Sequence, residues 1–200
     1  ASDVYKRQVH TLPGGDREFS FYRNPGADMM LSESDIDYKL IQNSSIFHFG
    51  SLSMTGEICE AATKKAVETA KESGAIISFD PNLRENLWDS LDKAREKIAY
   101  GISECDILKI SDNEIQWFTG EQDFDRAVEI LRGRYGNIKL LLLSLGKNGR
   151  RAYCGENSAF APAAPANTIE TTGAGDTFCG GILAKVLKYG LRNYSAEELT

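Results

Sequence analysis

"AIISFDPNLRENLWDSLDKAREKIAYGISECDILKI", residues 75–110, decides the fold. It opens and closes on short apolar runs, AIISFD (75–80) and CDILKI (105–110), each of strand length. Between them Leu87, Leu91, Ala94, Ile98 and Ile102 recur at helical spacing. Near-continuous apolar strands separated by amphipathic helices are the mark of a parallel sheet covered on both faces.

The same alternation extends outward in both directions. IFHF (46–49) reads as a strand, followed by a helix that Thr55 can cap and Gly74 can end. Its expected apolar face is Ile58, Ala61, Ala62, Ala66 and Ala70. Downstream, NEIQWFTG (113–120) is a short helix, 123–135 a helix built on Ala127, Val128 and Leu131, and IKLLLLSLG (138–146) a long apolar strand. FCGGILAKVLKYG (178–190) is a helix ending at Gly190. With right-handed crossovers the result is a layered α/β sandwich; regular intervening helices argue against an antiparallel α+β arrangement. REFSFYRNPGADMML (17–31) reads as a strand with a turn at NPG, lying outside the central sheet as a flap or lid. Near the end, Ser195 and Glu198 form a capping-box signature that opens a helix just before the chain stops, which suggests truncation.

Composition narrows the function classes. Two hundred residues at 42% hydrophobic content suffice for one domain with a full core. A net charge of −6 and a pI near 5.1, with no basic cluster, argue against nucleic acid as a partner. Acidity does not exclude a phosphorylated small molecule, which needs only a local positive field. The four cysteines (Cys59, Cys105, Cys154, Cys179) stand far apart with no metal-ligand spacing, and two histidines are too few for a His-rich metal site. They read as reduced thiols used as small apolar residues. No run reaches membrane-spanning length and no signal-peptide core opens the chain, so the expectation is a soluble, cytoplasmic protein.

The polar residues fall where such a fold binds ligands, beyond the carboxyl ends of its strands. GSLSMT, DPNLREN, SDNE and SLGKNG each follow a strand, and all four lie on one edge of the expected sheet. IETTGAGDTFCGG (169–181) places Gly173, Ala174 and Gly175 at a helix N-terminus, where free amides and the helix dipole attract a phosphate. Asp176 inside that trap would repel the phosphate in a site built only for binding. A phosphoryl-transfer site uses it, because the attacking hydroxyl must lose its proton. Asp176 acting only as a helix cap is the competing reading, but it leaves the small residues unexplained. GxxxxGK[ST] and GxSxG are absent, and a GxGxxG reading fails at Phe178.

TTGAGDTF (171–178), FDPNLRENLW (79–88), KISDNEIQWFTG (109–120) and SLGKNG (144–149), in their order along the chain, resemble the ribokinase-like sugar kinases of the phosphofructokinase B type, bacterial fructokinases most closely. The resemblance runs from about residue 9 to the end. It implies a ribokinase-like three-layer α/β/α sandwich with a mostly parallel central sheet and a partial β lid. It also implies transfer of the ATP γ-phosphate to a sugar hydroxyl, with D-fructose giving fructose 6-phosphate. By resemblance Asp176 is the catalytic base, and the amides of Gly173, Ala174 and Gly175 form the anion hole. Arg84 reaches the transferred phosphate or the sugar, with Asp80 and Asn82 shaping its loop; a purely structural turn around Pro81 explains those two equally well. Ser144, Gly146, Gly149 and Thr172 are nucleotide contacts, and Glu114 organises Mg²⁺ and its waters. Arg23 contacts the sugar, unless it is a solvated strand arginine. Lys109 either serves the site or merely ends its strand.

The chain also departs from the family pattern. Ser111 stands where an asparagine is frequent, and Glu170 replaces the aspartate that usually precedes TTGAGD. Since that aspartate helps some relatives bind potassium beside the residue matching Thr172, a monovalent cation is only weakly implied. The N-terminal third with its sugar-binding signature is missing, as is the terminal helical segment. The expected division is residues 1–8 as a leader foreign to the family and 9–200 as a sugar-kinase fragment, with 9–35 as lid strands and 36–200 as core. Two alternatives stand beside fructose phosphorylation: a kinase for ribose or 2-keto-3-deoxygluconate, and a chain that binds nucleotide without activity. Relatives often dimerise through the lid, which makes a homodimeric parent one option; with only part of a lid present, the sequence does not decide the oligomeric state.

Overall fold

The computed structural model describes residues 6–11, 17–22, 26–165 and 171–199. Its centre is a six-stranded sheet in strict sequence order: β3 (Ile46–Gly50), β4 (Ile76–Asp80), β5 (Ile107–Ser111), β6 (Leu140–Ser144), β7 (Arg150–Cys154) and β8 (Asn157–Ala161). β3 to β6 are parallel, and β7 and β8 continue the sheet as an antiparallel hairpin. A separate antiparallel pair, β1 (Lys6–Thr11) and β2 (Arg17–Tyr22), stands outside this sheet as a flap, with Lys6 opposite Tyr22. A 3₁₀ turn over Ala27–Met30 and the short helix α1 (Tyr38–Gln42) lead from the flap to β3.

The strand order explains the layers. Because β3 to β6 advance in one direction, right-handed crossovers place every connecting helix on the same face. α2 (Glu57–Glu72), α3 (Leu91–Glu104), α4 (Asp112–Thr119) and α5 (Phe124–Arg134) accordingly share one core with Phe49, Ile77, Phe79, Leu108, Ile110, Leu141 and Leu143. The opposite face carries α6 (Ala174–Tyr189), where Val186 packs on Ile107, Leu140, Leu142, Ala152 and Cys154. The sandwich therefore has three layers, thick on one side and one helix deep on the other.

Several local expectations change. Gly56, not Thr55, is the N-cap of α2, because Thr55 still belongs to the end of the preceding 3₁₀ turn, with helical dihedrals and its hydroxyl donating to the Leu52 carbonyl. The buried face of α2 is Cys59, Ala62, Thr63, Ala66, Val67, Thr69 and Ala70, whereas Ile58 and Ala61 face solvent. Leu87 belongs to a 3₁₀ turn ahead of α3, and Leu91, the first residue of α3, is exposed. The expected α4 and α5 are present, α4 closing on Gly120 in the left-handed conformation. At the C-terminus the capping-box contacts form, Ser195 N–H to Glu198 and Glu198 N–H to the Ser195 hydroxyl, but through Leu199 they close only a turn. Glu198 is also paired with Arg192, so its carboxylate serves two partners.

Candidate active site

Strand parity builds the site. Side chains alternate between faces, so Ile46, Ile76, Ile107, Leu140 and Leu142 face α6 while their neighbours fill the thicker core. Continuing each strand by that parity puts His48, Ser78 and Asp80, Lys109 and Ser111, and Ser144 on the α6 side. The apolar face thus becomes polar toward the carboxyl ends of the strands, and the N-terminus of α6 lies over that polar end. His48 Nδ1 and Ser78 Oγ are 2.9 Å apart across β3 and β4. Asp80 and Lys109, both buried, form an ion pair at 3.0 Å between β4 and β5. Burial pushes the Asp80 carboxyl up to about 6 against the opposing pull of Lys109.

Two loops and the first turn of α4 close around this row. The Ser51 amide and hydroxyl both donate to the Pro81 carbonyl, joining the loop after β3 to the loop after β4. Asn82 turns that second loop at φ +46°, a left-handed conformation asparagine tolerates better than most residues. Glu114 ties it to β5: one oxygen accepts the Leu83 amide at 2.7 Å, the other the amide and hydroxyl of Ser111 at 2.9 and 2.7 Å. His48, Gly50, Ser51, Leu52, Ser53, Asp80, Asn82 and Asp176 then line one cavity of about 260 Å³. A larger cavity of about 640 Å³ runs beneath α6 against Leu140, Leu142, Ala152 and Val186, and is mainly apolar. Of the two, among the described residues, the smaller brings Asp80 and Asp176 together at the strand ends.

At the head of α6, Gly173 is the N-cap at φ +75°, and no side chain caps the helix. Asp176 is therefore not its cap; it is an exposed carboxylate in the first turn. The Ala174 N–H donates to the Thr171 carbonyl at 3.1 Å, and the first full helical bond runs from Thr177 N–H to Gly173. As first-turn amides, those of Gly175 and Asp176 have no acceptor within the helix. Thr172 is exposed immediately before this turn.

The other expected residues are placed unequally. Ser144 ends β6, and Gly146 enters the following 3₁₀ turn at φ +54°. Gly149 (φ +104°) is required by packing, since a side chain there would run into the Ala161 carbonyl. Arg84 donates to the Leu83 carbonyl at 2.9 Å and does not line the cavity. Arg23 and Glu170 lie outside the described residues. Among the described residues no group of three His, Cys, Asp or Glu side chains is placed to hold a metal ion. The Glu114 oxygens already accept three hydrogen bonds, which leaves this carboxylate to meet a divalent cation only through water. His48 was missed in the sequence, and Lys109 was left undecided, although the alternation in IFHF and ILKIS carries the signal for both.

One prediction follows from this row. Burial lowers the His48 pKa below its ordinary 6.5, with Asp176 raising it and Lys109 lowering it further. The unfolded chain thus binds a proton that folded His48 resists, so this group withdraws stability as pH falls through about 6.5. Only two histidines need resolving by NMR. Lys109→Met is expected to move the His48 midpoint up and Asp176→Asn to move it down. A midpoint unmoved by both would mean the row is not assembled.

The model for pfkB family carbohydrate kinases matches residues 6–199. This chain belongs to that family. Its pfkB relatives include probable fructokinase-2 of Arabidopsis thaliana, 42% identical over 173 residues, which cover 86% of this chain and 52% of the relative. Similar solved structures include a fructokinase from Vibrio cholerae O395 in fructose-, ADP- and calcium-bound form, with TM-score 0.80 and 28% identity over 92% of this chain and 60% of that one. A fructokinase from Xylella fastidiosa with bound ATP gives TM-score 0.80 and 28% identity over 92% and 56%. The pfkB chain described here thus spans about half the length of the curated relatives it matches, and its three-layer sheet is the ribokinase-like fold of these kinases. No helix among its described residues is long and apolar enough to cross a membrane.

Proposed function

We propose that this chain carries the phosphoryl-transfer part of an ATP-dependent sugar kinase, with D-fructose as acceptor and fructose 6-phosphate as product. The carrying observation is the meeting of Asp176, Asp80 and Asn82 in one cavity at the uncapped start of α6. Asp176 takes the proton from the sugar hydroxyl as its oxygen attacks the γ-phosphorus, and the bond to the bridging oxygen breaks to leave ADP. The Gly173-Ala174-Gly175 turn receives the charge of the transferred group. Since the Ala174 amide already has an acceptor, the Gly175 amide and the helix dipole carry most of that role. Ser144, Gly146, Gly149 and Thr172 border the nucleotide, Gly149 by letting the backbone pass close rather than by direct contact. Arg84 and Arg23 approach the phosphate and sugar. Mg²⁺, held through water near Glu114 and by the phosphates, would neutralise charge on the phosphate oxygens.

Fructose as acceptor is supported by relatives named fructokinases and by the neighbour whose structure contains fructose. The division into a leader (1–8), lid strands (9–35) and core (36–200) is retained as part of this reading, as are a homodimeric parent and a cytoplasmic setting. The second reading is nucleotide binding without turnover. A panel of D-fructose, ribose and 2-keto-3-deoxygluconate at equal concentration tests the acceptor. ADP release is expected to be fastest with fructose, and equal or faster release with either other sugar would reassign it.

A further inference from the structure

Lys109 has no role in the reading above, yet its surroundings are specific. It is 7% exposed on the α6-facing side of β5, a position filled by isoleucine two residues earlier. Withdrawing an ammonium from water is costly, and an ion pair at such depth does little for stability compared with apolar residues of similar volume. Asp80 compensates it with both oxygens, 3.2 and 3.0 Å from Nζ. The cation is also pressed against α6: a methyl group on Gly175 would stand 3.3 Å from Nζ. Glycine at that point of GAGD therefore lets the helix start settle over the ammonium.

Lys109 thereby joins the two loops that carry the chemistry, the one beginning at Asp80 and the one holding Asp176. The carboxylates of Glu114 and Asp176 both act on Asp80, and a polyphosphate would bring further negative charge to this region. Among the charged groups acting on Asp80, Lys109 is the cation.

We infer that Lys109 is a positioning residue of the phosphoryl-transfer site: clamped by Asp80, it holds a fixed positive charge beneath the first turn of α6 and favours the terminal phosphate of a bound nucleoside triphosphate. This rests on the α6 start being the phosphate site proposed above. The ammonium acts through the field it sets at Gly175 and Asp176, and it needs no direct contact with the ligand. In a medium of effective dielectric constant about 20, an unpaired charge a few ångströms from a phosphate would shift affinity far more than tenfold; Asp80 offsets much of that field, and about tenfold is the share expected to remain.

Calorimetric titration of ATP and of ADP into the chain tests this. The comparison uses the unmodified chain, Lys109→Met, and the double variant Asp80→Asn with Lys109→Met. The double variant removes both charges together, so it leaves no unpaired buried carboxylate and guards against loss of fold. The unmodified chain is expected to prefer ATP, and the ratio of ATP to ADP affinity is expected to fall about tenfold in both variants. A merely structural lysine would weaken both nucleotides alike, and an unmoved ratio in the folded double variant overturns the inference while leaving the phosphate site standing. An unmodified chain that binds neither nucleotide overturns both.

Discussion

Asp176→Asn is expected to cut fructose-dependent ADP release by about 100-fold or more while ATP affinity is retained, the loss typical when a positioned general base is removed. The substitution keeps size and polarity and takes away only the capacity to accept a proton. Helix stability should change little, because Gly173 occupies the N-cap and no side-chain cap depends on Asp176. The result separates the chemical role from the anion site: the Gly173-Ala174-Gly175 backbone is unaltered, and the neutral side chain removes repulsion toward phosphate. Steady-state turnover beside an ATP titration measures both. Turnover within a few-fold of the unmodified chain would remove Asp176 from the chemistry.

Phe79→Ala should have the largest effect on the fold, a loss of about 3–5 kcal/mol as expected for a fully buried aromatic truncated to alanine. Phe79 is 0% exposed, and its ring lies 4.7 Å from that of Phe49, centroid to centroid. It fills the notch that Gly101 leaves in α3, where a methyl group would overlap the ring. Deleting it opens a void between β4 and α3 one residue before Asp80, so both the sheet and the site should suffer. Urea unfolding reads the change. A loss below about 1 kcal/mol would show that α3 can close onto β4, which the tight fit at Gly101 argues against.

Those two residues also show what could be read from the sequence. FDPNLRENLW stands in a strand-loop context that periodicity resolves, because β4, β5 and β6 are buried on both faces and read as apolar runs. The hairpin β7–β8 escaped notice, since RRAYC opens on two arginines. Its signal was local: two short alternating segments around Gly155-Glu156, a two-residue turn with glycine first. The face of α2 was misjudged because hydrophobicity favoured Ile58. Ala62, Ala66 and Ala70 were read correctly as small buried residues that let the helix sit close to the sheet; the error lay at Ile58 and Ala61, which face solvent, and in missing Cys59, Thr63, Val67 and Thr69. In the site, the glycine-rich turn and Asp176 were legible because small residues before a helix have few other uses. Glu114 was legible as a residue but not as a clamp, since its partner Leu83 lies 31 positions away. His48 and Lys109 required strand parity to be followed across neighbouring strands, which no single segment reveals.

The measurement that bears most directly on the central claim is ³¹P NMR of Mg-ATP and D-fructose incubated with this chain. A new phosphomonoester resonance, assigned to fructose 6-phosphate, is expected to grow in step with ADP and to be absent with Asp176→Asn. ATP left intact beside a chain shown to bind it, or inorganic phosphate as the only product, would contradict the assignment of sugar phosphorylation to this chain.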